Sequence, residues 1–402
     1  MKSFLKKIIP WRLVNLFWHL PKSVLASFFY GFPAQKLTVI AIAGTKGKTS
    51  TAYFLSHFLD RAHIRHALFS TAAIKVAGQE SLNTLKLTSP TPFFLQKTLR
   101  HALRRGCTHA AIEVSSHALQ QYRVWGIHFE VVAITNLMSD HLEYHENAQQ
   151  YRAIHARLIS QHTKLLILNA DDPNEQEFHS LRVPKQFISK HDSDYAALAS
   201  TPIPIVGDYN LMNIYAAICS AHALGISRES ITQSLPTLHN APGRMEYIAE
   251  GQPFDVIVDY AHSPDSLAAF FNAIQQYIQK RCIAVFGACG DRDPSMRPLM
   301  GRVLDDNADM IIITNDDTYS ENPEIIASHL RMGIVHKTPE SLFTILDRRS
   351  AIQKALSLAR AGDTLCILGK GAETFHILGS KKIPWDDRAV ARELLRNGSG
   401  SA

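Results

Sequence analysis

The chain is poor in cysteine, in long apolar runs and, at its start, in acid. Only five cysteines occur among 402 residues (Cys107, Cys219, Cys282, Cys289 and Cys366), and no two form a CxxC pair. That spacing fits neither a zinc site nor a disulfide framework, and it suits a reducing cytoplasm. No uninterrupted stretch approaches the ~20 apolar residues that a membrane-spanning helix needs. The apolar N-terminal stretch is followed by no small-residue cleavage site, so a signal peptide is a poor fit as well. Internal repeats and low-complexity tracts are absent.

Acidic residues are missing altogether from residues 1–36, which carry Lys2, Lys6, Lys7, Arg12, Lys22 and Lys36. The formal net charge of +6 belongs to this segment, because the 36 other basic side chains balance the 36 acidic ones. A balanced body gives no support to nucleic-acid binding. The stretch "FLKKIIPWRLVNLFWHLPKSVLASFFYGFP" is basic, apolar and aromatic, and Pro10, Pro21 and Pro33 divide it. Two roles are open for residues 1–33: a helical anchor in the interface of an anionic membrane, or a lid on the central domain.

The length predicts two or three domains. From Leu37 onward, continuous apolar runs alternate with amphipathic ones. "LTVIAIAG", "HAAIEVSS", "VVAITN" and "KLLILNADD" are predicted strands, and "TSTAYFLSHFLDRA" and "TPFFLQKTLRHALRRG" are predicted helices. A second series of strands, "FDVIVDY", "CIAVFGACG", "MIIITND" and "TLCILGKG", follows "HNAPGR". This alternation predicts an α/β chain with parallel, doubly wound sheets. The expected organisation is a basic apolar segment at 1–37, a P-loop-type ATP-binding domain at 38–242, a Rossmann-like domain at 243–396, and a tail or linker at 397–402.

Between the first strand and its helix stands "AGTKGKTST". Gly44 and Gly47 permit a tight turn, and the backbone N–H groups together with the helix N-terminus make an anion site. Lys48 can reach terminal phosphates and Thr49 can ligate Mg²⁺. The spacing, G-x-x-G-K-T, is shorter than the common P-loop, and alone it implies only a nucleotide.

A set of ordered motifs is more specific: "GTKGKTS", "LTSPTP", "EVSSHALQQYR", "TNLMSDHLEYH", "LNADDP", "GDYNLMNIYAA", "APGRME", "VDYAHSPDSL", "VFGACGDRD", "TNDDTYSENP", "LGKGAETFH" and "WDDR". Over most of its length the sequence resembles the Mur ligases, most closely the UDP-N-acetylmuramoyl-tripeptide synthetases of the MurE type. The resemblance implies ATP-dependent activation of a peptide carboxylate as an acyl phosphate, then attack by an amino group, in peptidoglycan stem-peptide synthesis. ATP and Mg²⁺ are the implied cofactors, a UDP-muramoyl-peptide and an amino acid the implied substrates.

Site residues follow by resemblance. Lys48, Glu113 and His141 are the catalytic candidates, with Thr49, Glu113 and His141 serving metal. Nucleotide contacts are carried to Gly44–Ser50, Asn213, Arg244, Asp259 and His262. Arg244 is expected to bridge the second domain to the nucleotide when the domains close. Muramoyl-peptide contacts fall on Thr88, Ser89, Ser115, Gln121 and Arg123. Ser115 is equally suited to capping a turn. Amino-acid selection falls on Arg292, Asp316, Asp317, Gly369 and Glu373, with Arg292 expected to hold the α-carboxylate.

Three departures stand out. His155 occupies the place of a carbamylated metal-binding lysine, and imidazole is a poor ligand for so hard a cation. His155 is therefore a further metal candidate, and no carbon dioxide requirement is expected. Asp316-Asp317-Thr318-Tyr319 replaces the Asp-Asn-Pro-Arg of diaminopimelate-adding enzymes. The lost arginine and the added acid favour a lysine-type substrate with a distal ammonium. The family's N-terminal uridine-binding domain is replaced by the short basic segment. Alternatives are a folylpolyglutamate-type ligase, against which "EVSSHALQQYR" and "DYAHSPDSL" argue, and a catalytically idle ATP-binding protein at the membrane surface.

Overall fold

The computed structural model describes residues 11–85, 87–138 and 148–398. The chain divides into two compact units, Met1–His239 and Asn240–Ala402. Among the described residues, no helix is long and apolar enough to cross a membrane.

The first unit is built on an eight-stranded sheet. Its strands are β1 (Thr38–Ala43), β2 (His66–Phe69), β3 (Ala73–Val76), β4 (Gln79–Leu82), β5 (His109–Glu113), β6 (Val131–Ile134), β7 (Leu165–Asn169) and β8 (Lys185–Ile188). The spatial order is β4-β3-β2-β5-β1-β6-β7-β8. β1 lies at the centre, parallel to β5 and β6, and Val39 to Ala43 are wholly buried. A strand covered on both faces needs apolar residues at every position, hence "TVIAIA".

The edge departs from the expected parallel sheet. β3 runs antiparallel to both β2 and β4, with Ala67 opposite Val76 and Ala73 opposite Leu82. The connections explain this, since a parallel return needs a crossover of a dozen or more residues. Here Ala77 and Gly78, both with positive φ, turn β3 straight into β4.

The helix Lys48–Arg61 leaves β1 through the glycine turn and packs against the helix Asp208–Ala223. Every residue from Thr49 to Leu59 is buried, and the helix also packs against β1, β2 and β5. Ahead of β1, Trp11–Val14, one π-helical turn at Asn15–His19 and Leu20–Tyr30 follow one another as helix, and Gly31 ends the run in the left-handed conformation. This helix packs on the helix Pro92–Arg104 through small residues, with Ser23, Ala26 and Ser27 buried. The large Leu and Phe side chains that a lid would turn inward face outward instead.

The second unit holds β9 (Glu246–Tyr247), β10 (Asp255–Asp259), β11 (Cys282–Phe286), β12 (Met310–Ile313), β13 (Leu342–Thr344) and β14 (Thr364–Leu368) in the order β13-β12-β11-β14-β10-β9. All are parallel except β9, which pairs antiparallel with β10. A separate hairpin joins β15 (Phe375–Leu378) to β16 (Lys381–Pro384). Val256, Val258, Ile283, Val285, Ile312, Leu365 and Ile367 form its core with the helices Arg348–Leu358 and Asp387–Gly398.

Candidate active site

The glycine turn is held by the strand next to it. Beyond β6, Asn136 accepts the Thr45 N–H on its backbone carbonyl at 2.8 Å and the Lys46 N–H on its side-chain oxygen at 2.9 Å. Thr135 donates to the Lys46 carbonyl at 2.6 Å. The Thr45 hydroxyl lies 2.8 Å from that of Tyr151. Gly47 has φ +82° and stands against Asn213, whose Oδ1 would lie 2.1 Å from a Cβ at that position. Asn213 is a polar residue buried within a helix, and its side chain seats the turn.

Lys48 folds back over this loop, with Nζ 2.9 Å from the Gly44 carbonyl and 2.7 Å from that of Thr45. Thr49, one residue on, donates toward both oxygens of Glu113 at 3.1 Å. Glu113 ends β5 and is almost wholly buried. It also accepts the Thr71 N–H at 2.6 Å and the Thr71 hydroxyl at 3.1 Å, and that hydroxyl lies 3.2 Å from Thr88.

The muramoyl-side candidates gather at the same sheet edge. Ser89 Oγ donates to the Glu113 carbonyl and accepts the Ser115 N–H, both at 3.0 Å. Arg123 donates to the Ser89 carbonyl at 2.8 Å and, through Nε and Nη2, to Gln121. Ser115 caps the short helix Ser116–Gln120 by accepting the Ala118 N–H at 3.2 Å, the capping role weighed from the sequence. Thr49, Glu113, Thr88, Ser89, Ser115, Gln121 and Arg123 thus form one connected set at the carboxyl ends of adjacent strands. Open α/β sheets bind ligands at that edge.

His155 is fully buried, its Nδ1 2.9 Å from the Tyr151 carbonyl, so its described link to the loop runs through Tyr151. His141 lies outside the described residues, as does His145.

In the second unit, Arg244 lies 4.5 Å above the Tyr260 ring. Asp259 accepts the N–H groups of Met245 and Ala261 at 2.7 Å. Burial pushes its carboxyl up, against the pull of Arg244. His262 is exposed, with Nδ1 2.7 Å from the Tyr260 carbonyl. These three nucleotide candidates cluster around Tyr260, whose hydroxyl lies 3.5 Å from Glu373.

The amino-acid candidates centre on a residue the sequence reading passed over. Lys370 is completely buried, with Nζ 3.1 Å from Asp316, 2.9 Å from Asp317 and 2.9 Å from Glu373. It stands between Gly369 and Glu373 in "GKGAET", where no local pattern marks a lysine that will be buried among three acids. Burial pushes Asp316 up, but Lys370 and then Arg348 outweigh it and hold the carboxyl well below its usual range. Cys289, Asp316 and Asp317 could offer ligands to a metal, yet Lys370 already supplies cationic charge there. Burial, then Asp316 and Asp317, push the Cys289 thiol up. Arg292 is exposed on the loop beyond.

Sequence reasoning also missed Thr71, Asn136 and the wholly buried pair Arg348–Asp387, whose contacts are 2.8 and 2.7 Å. Arg348 further donates to the carbonyls of Asn315 and Leu368, beyond β12 and at the end of β14. The quoted "WDDR" supplies Asp387, and Trp385 donates to it at 2.8 Å.

Residues 42–221 match the Mur ligase middle domain, and residues 243–371 match the Mur ligase, glutamate ligase domain. The chain is 37% identical over 399 residues to the UDP-N-acetylmuramoyl-L-alanyl-D-glutamate--2,6-diaminopimelate ligase of Thermosynechococcus vestitus, covering 92% of this chain and 79% of that one. The enzyme of the same name from Geobacillus kaustophilus is 36% identical over 403 residues, covering 93% and 82%. A solved structure of a ligase of this name superposes with a TM-score of 0.61 at 27% identity, over 90% of this chain and 79% of that one. A Mycobacterium tuberculosis folylpolyglutamate synthase superposes at 0.72 over 95% and 96%, a likeness of fold alone at 16% identity. The chain belongs to the Mur ligase family of ATP-dependent amide-bond-forming enzymes.

Proposed function

We propose that this ligase couples a diamino acid to a UDP-N-acetylmuramoyl-dipeptide in the assembly of a peptidoglycan stem peptide. The observation that carries the reading is Glu113, whose carboxylate links Thr49 of the phosphate loop to Thr71 and, through the Thr71 hydroxyl, to Thr88 on the muramoyl side. One buried group thereby ties nucleotide and acceptor candidates together.

In this reading a peptide carboxylate oxygen attacks the γ-phosphorus of ATP, and ADP leaves. The amino nitrogen then attacks the acyl carbon, inorganic phosphate leaves, and the nitrogen gives up a proton. Such transfers depend mainly on positioning and on neutralising phosphate charge. Lys48 leaves the Gly44 and Thr45 carbonyls to meet the phosphates, while Asn213 and the N–H groups of the loop beyond Lys46 hold the nucleotide. The Thr49 hydroxyl and the Glu113 carboxylate are oxygen donors of the kind Mg²⁺ takes. Bound there, Mg²⁺ supplies neutralising charge. Arg123, turned by Gln121 toward Ser89, offers a planar fork to an acidic group of the acceptor. Arg244, Asp259 and His262 are the nucleotide candidates of the second unit.

The amino-acid reading rests on charge. Asp316, Asp317 and Glu373 bring three negative charges and Lys370 brings one positive, so two are left over. An added ammonium would be compensated there, whereas a distal carboxylate would meet acids with no arginine from "DDTY". We therefore favour a lysine-type diamino acid over diaminopimelate, which the relatives' names specify. Incubation with ATP, Mg²⁺, UDP-muramoyl dipeptide and single amino acids, read by product mass, tests both levels. ADP formation without a ligated product overturns the ligase reading. Selective incorporation of meso-diaminopimelate overturns the lysine preference alone.

A further inference from the structure

The helix Trp11–Tyr30 has two unlike faces. Its inner face carries small residues: Ser27 Oγ lies 3.1 Å from the Trp125 carbonyl, and Gln96 donates to that hydroxyl at 3.1 Å. Its outer face carries Phe17, Trp18, Leu25, Phe28 and Phe29, with relative exposures of 72, 68, 59, 65 and 72%. Residues three and four apart share a helix face, which places Trp18, Leu25 and Phe29 in one row with Lys22 among them. Scattered exposed apolar residues need no explanation, but a contiguous set of large aromatic ones marks an interaction surface.

The neighbouring helix supplies the charge. Phe93 touches both Phe29 and Tyr30, with ring centroids 6.5 Å apart in each case. The same face of the helix Pro92–Arg104 continues, at helical spacing, through Lys97, Arg100 and Arg104. Arg104 and Arg105 then meet Arg65 at the rim of a cavity of about 550 Å³. The segments that build both helices carry no acidic residue of their own. The first acidic residue of the chain is Asp60, and none lies between Glu80 and Glu113.

We propose that this aromatic face and the basic row beside it form a docking surface for an anionic phospholipid bilayer. Phe17, Trp18, Leu25, Phe28 and Phe29 enter the headgroup–acyl boundary. Lys22, Lys97, Arg100 and Arg104 lie at headgroup level. Interfacial helices bind through this combination of apolar, aromatic and basic groups. Charge decides the occupant: a protein groove would suit the aromatic face alone, whereas a row of basic residues on a helix without acids complements an anionic plane. The enzyme would then work as a peripheral protein, held by the same unit that carries its phosphate loop.

The test is co-sedimentation of the full chain with phosphatidylglycerol–phosphatidylcholine vesicles and with phosphatidylcholine vesicles, at low and high salt. The chain is expected to sediment with the anionic vesicles at low salt and to be released as salt rises. Phe17→Glu with Phe29→Glu should weaken binding about tenfold or more, and Lys97→Glu with Arg104→Glu should abolish the preference for anionic lipid. All four side chains are partly or well exposed and stand apart from the proposed machinery, so turnover without vesicles should stay unchanged. Failure to sediment with anionic vesicles at low salt overturns the proposal. So does binding that both variant pairs leave intact, or lipid-free dimerisation that Phe17→Glu disperses, which would assign the face to a second copy.

Discussion

Lys370 holds its ammonium 2.9 Å from the carboxylate of Asp317, where both side chains are almost completely buried. The acid that the sequence offered to a substrate ammonium thus already shares an ammonium of the protein's own with Asp316 and Glu373. Removing one partner of a buried pair costs more than the pair contributes, because the other charge remains buried. Lys370→Met should destabilise the folded chain by about 3–5 kcal/mol, measured by urea unfolding. A loss below about 1 kcal/mol would mean that water or another cation replaces the ammonium.

The same cluster sets a pH dependence. Asp316 is held below its unfolded value of 3.8, so it contributes stability above pH 3.8 that is lost as pH falls through its folded value. Lys370 is held above its unfolded value of 10.5: burial opposes this, but Asp316, Glu373 and Asp317 outweigh burial. Its contribution is present below pH 10.5 and is lost as pH rises beyond that. In Lys370→Met the three carboxylates repel one another, so the acid limb of the stability profile should move above pH 3.8. Unfolding midpoints measured across acidic pH would show the shift, and superimposable acid limbs would contradict it.

At the phosphate loop, Lys48→Ala should lower turnover by about 100-fold or more, while nucleotide binding weakens much less. Single-turnover ADP release beside nucleotide titration separates the two effects. Near-normal turnover would remove Lys48 from the chemistry.

For the amino acid, Tyr319→Arg restores an arginine to the fourth position of the "DDTY" stretch. The ratio of kcat/KM for diaminopimelate to that for lysine should rise about tenfold or more, the scale of one charge-assisted contact. Competition between the two amino acids, read by product mass, measures that ratio directly. An unchanged ratio would place selection elsewhere, with Arg292 as the next candidate.

His155 yields an expectation about carbon dioxide. Turnover should not change when bicarbonate is stripped, since that position has no amine to carbamylate. Because the imidazole is fully buried, His155→Lys should lower the melting temperature by burying an ammonium. Bicarbonate-dependent turnover of the unaltered enzyme would assign the role to another lysine.

The central strands were legible because a strand buried on both faces admits only apolar residues, as "TVIAIA" and "CIAVF" show. The edge was not, because "HALF", "AIKV" and "QESL" are too short and too mixed to reveal a direction. Their antiparallel pairing depends on connection length. The glycine turn was legible from its Gly and Lys spacing, and Glu113 was named from the family motifs; the structure brings Thr49 and Glu113 within hydrogen-bond distance. Thr71 was not legible, since a hydroxyl after a strand resembles any turn residue until Glu113 arrives beside it. Arg348 and Asp387 are separated by 39 positions, and no local pattern marks two charges that will be buried together.

Near the start of the second unit, Gly243 and Gly371 bring two stretches of main chain into contact. A Cβ on Gly243 would sit 2.0 Å from the Ala372 nitrogen, and one on Gly371 would sit 2.6 Å from the Gly243 carbonyl. Both glycines also have positive φ, so neither contact is relieved by choosing another small residue. The two positions therefore cannot drift independently as homologues diverge. A chimera built from two such ligases would have to draw both glycines, and the segment "APGRME" with "LGKGAET", from one parent. A workable crossover lies ahead of Ala241 or beyond Thr374, and a join placed between them would graft together backbones that never evolved to touch.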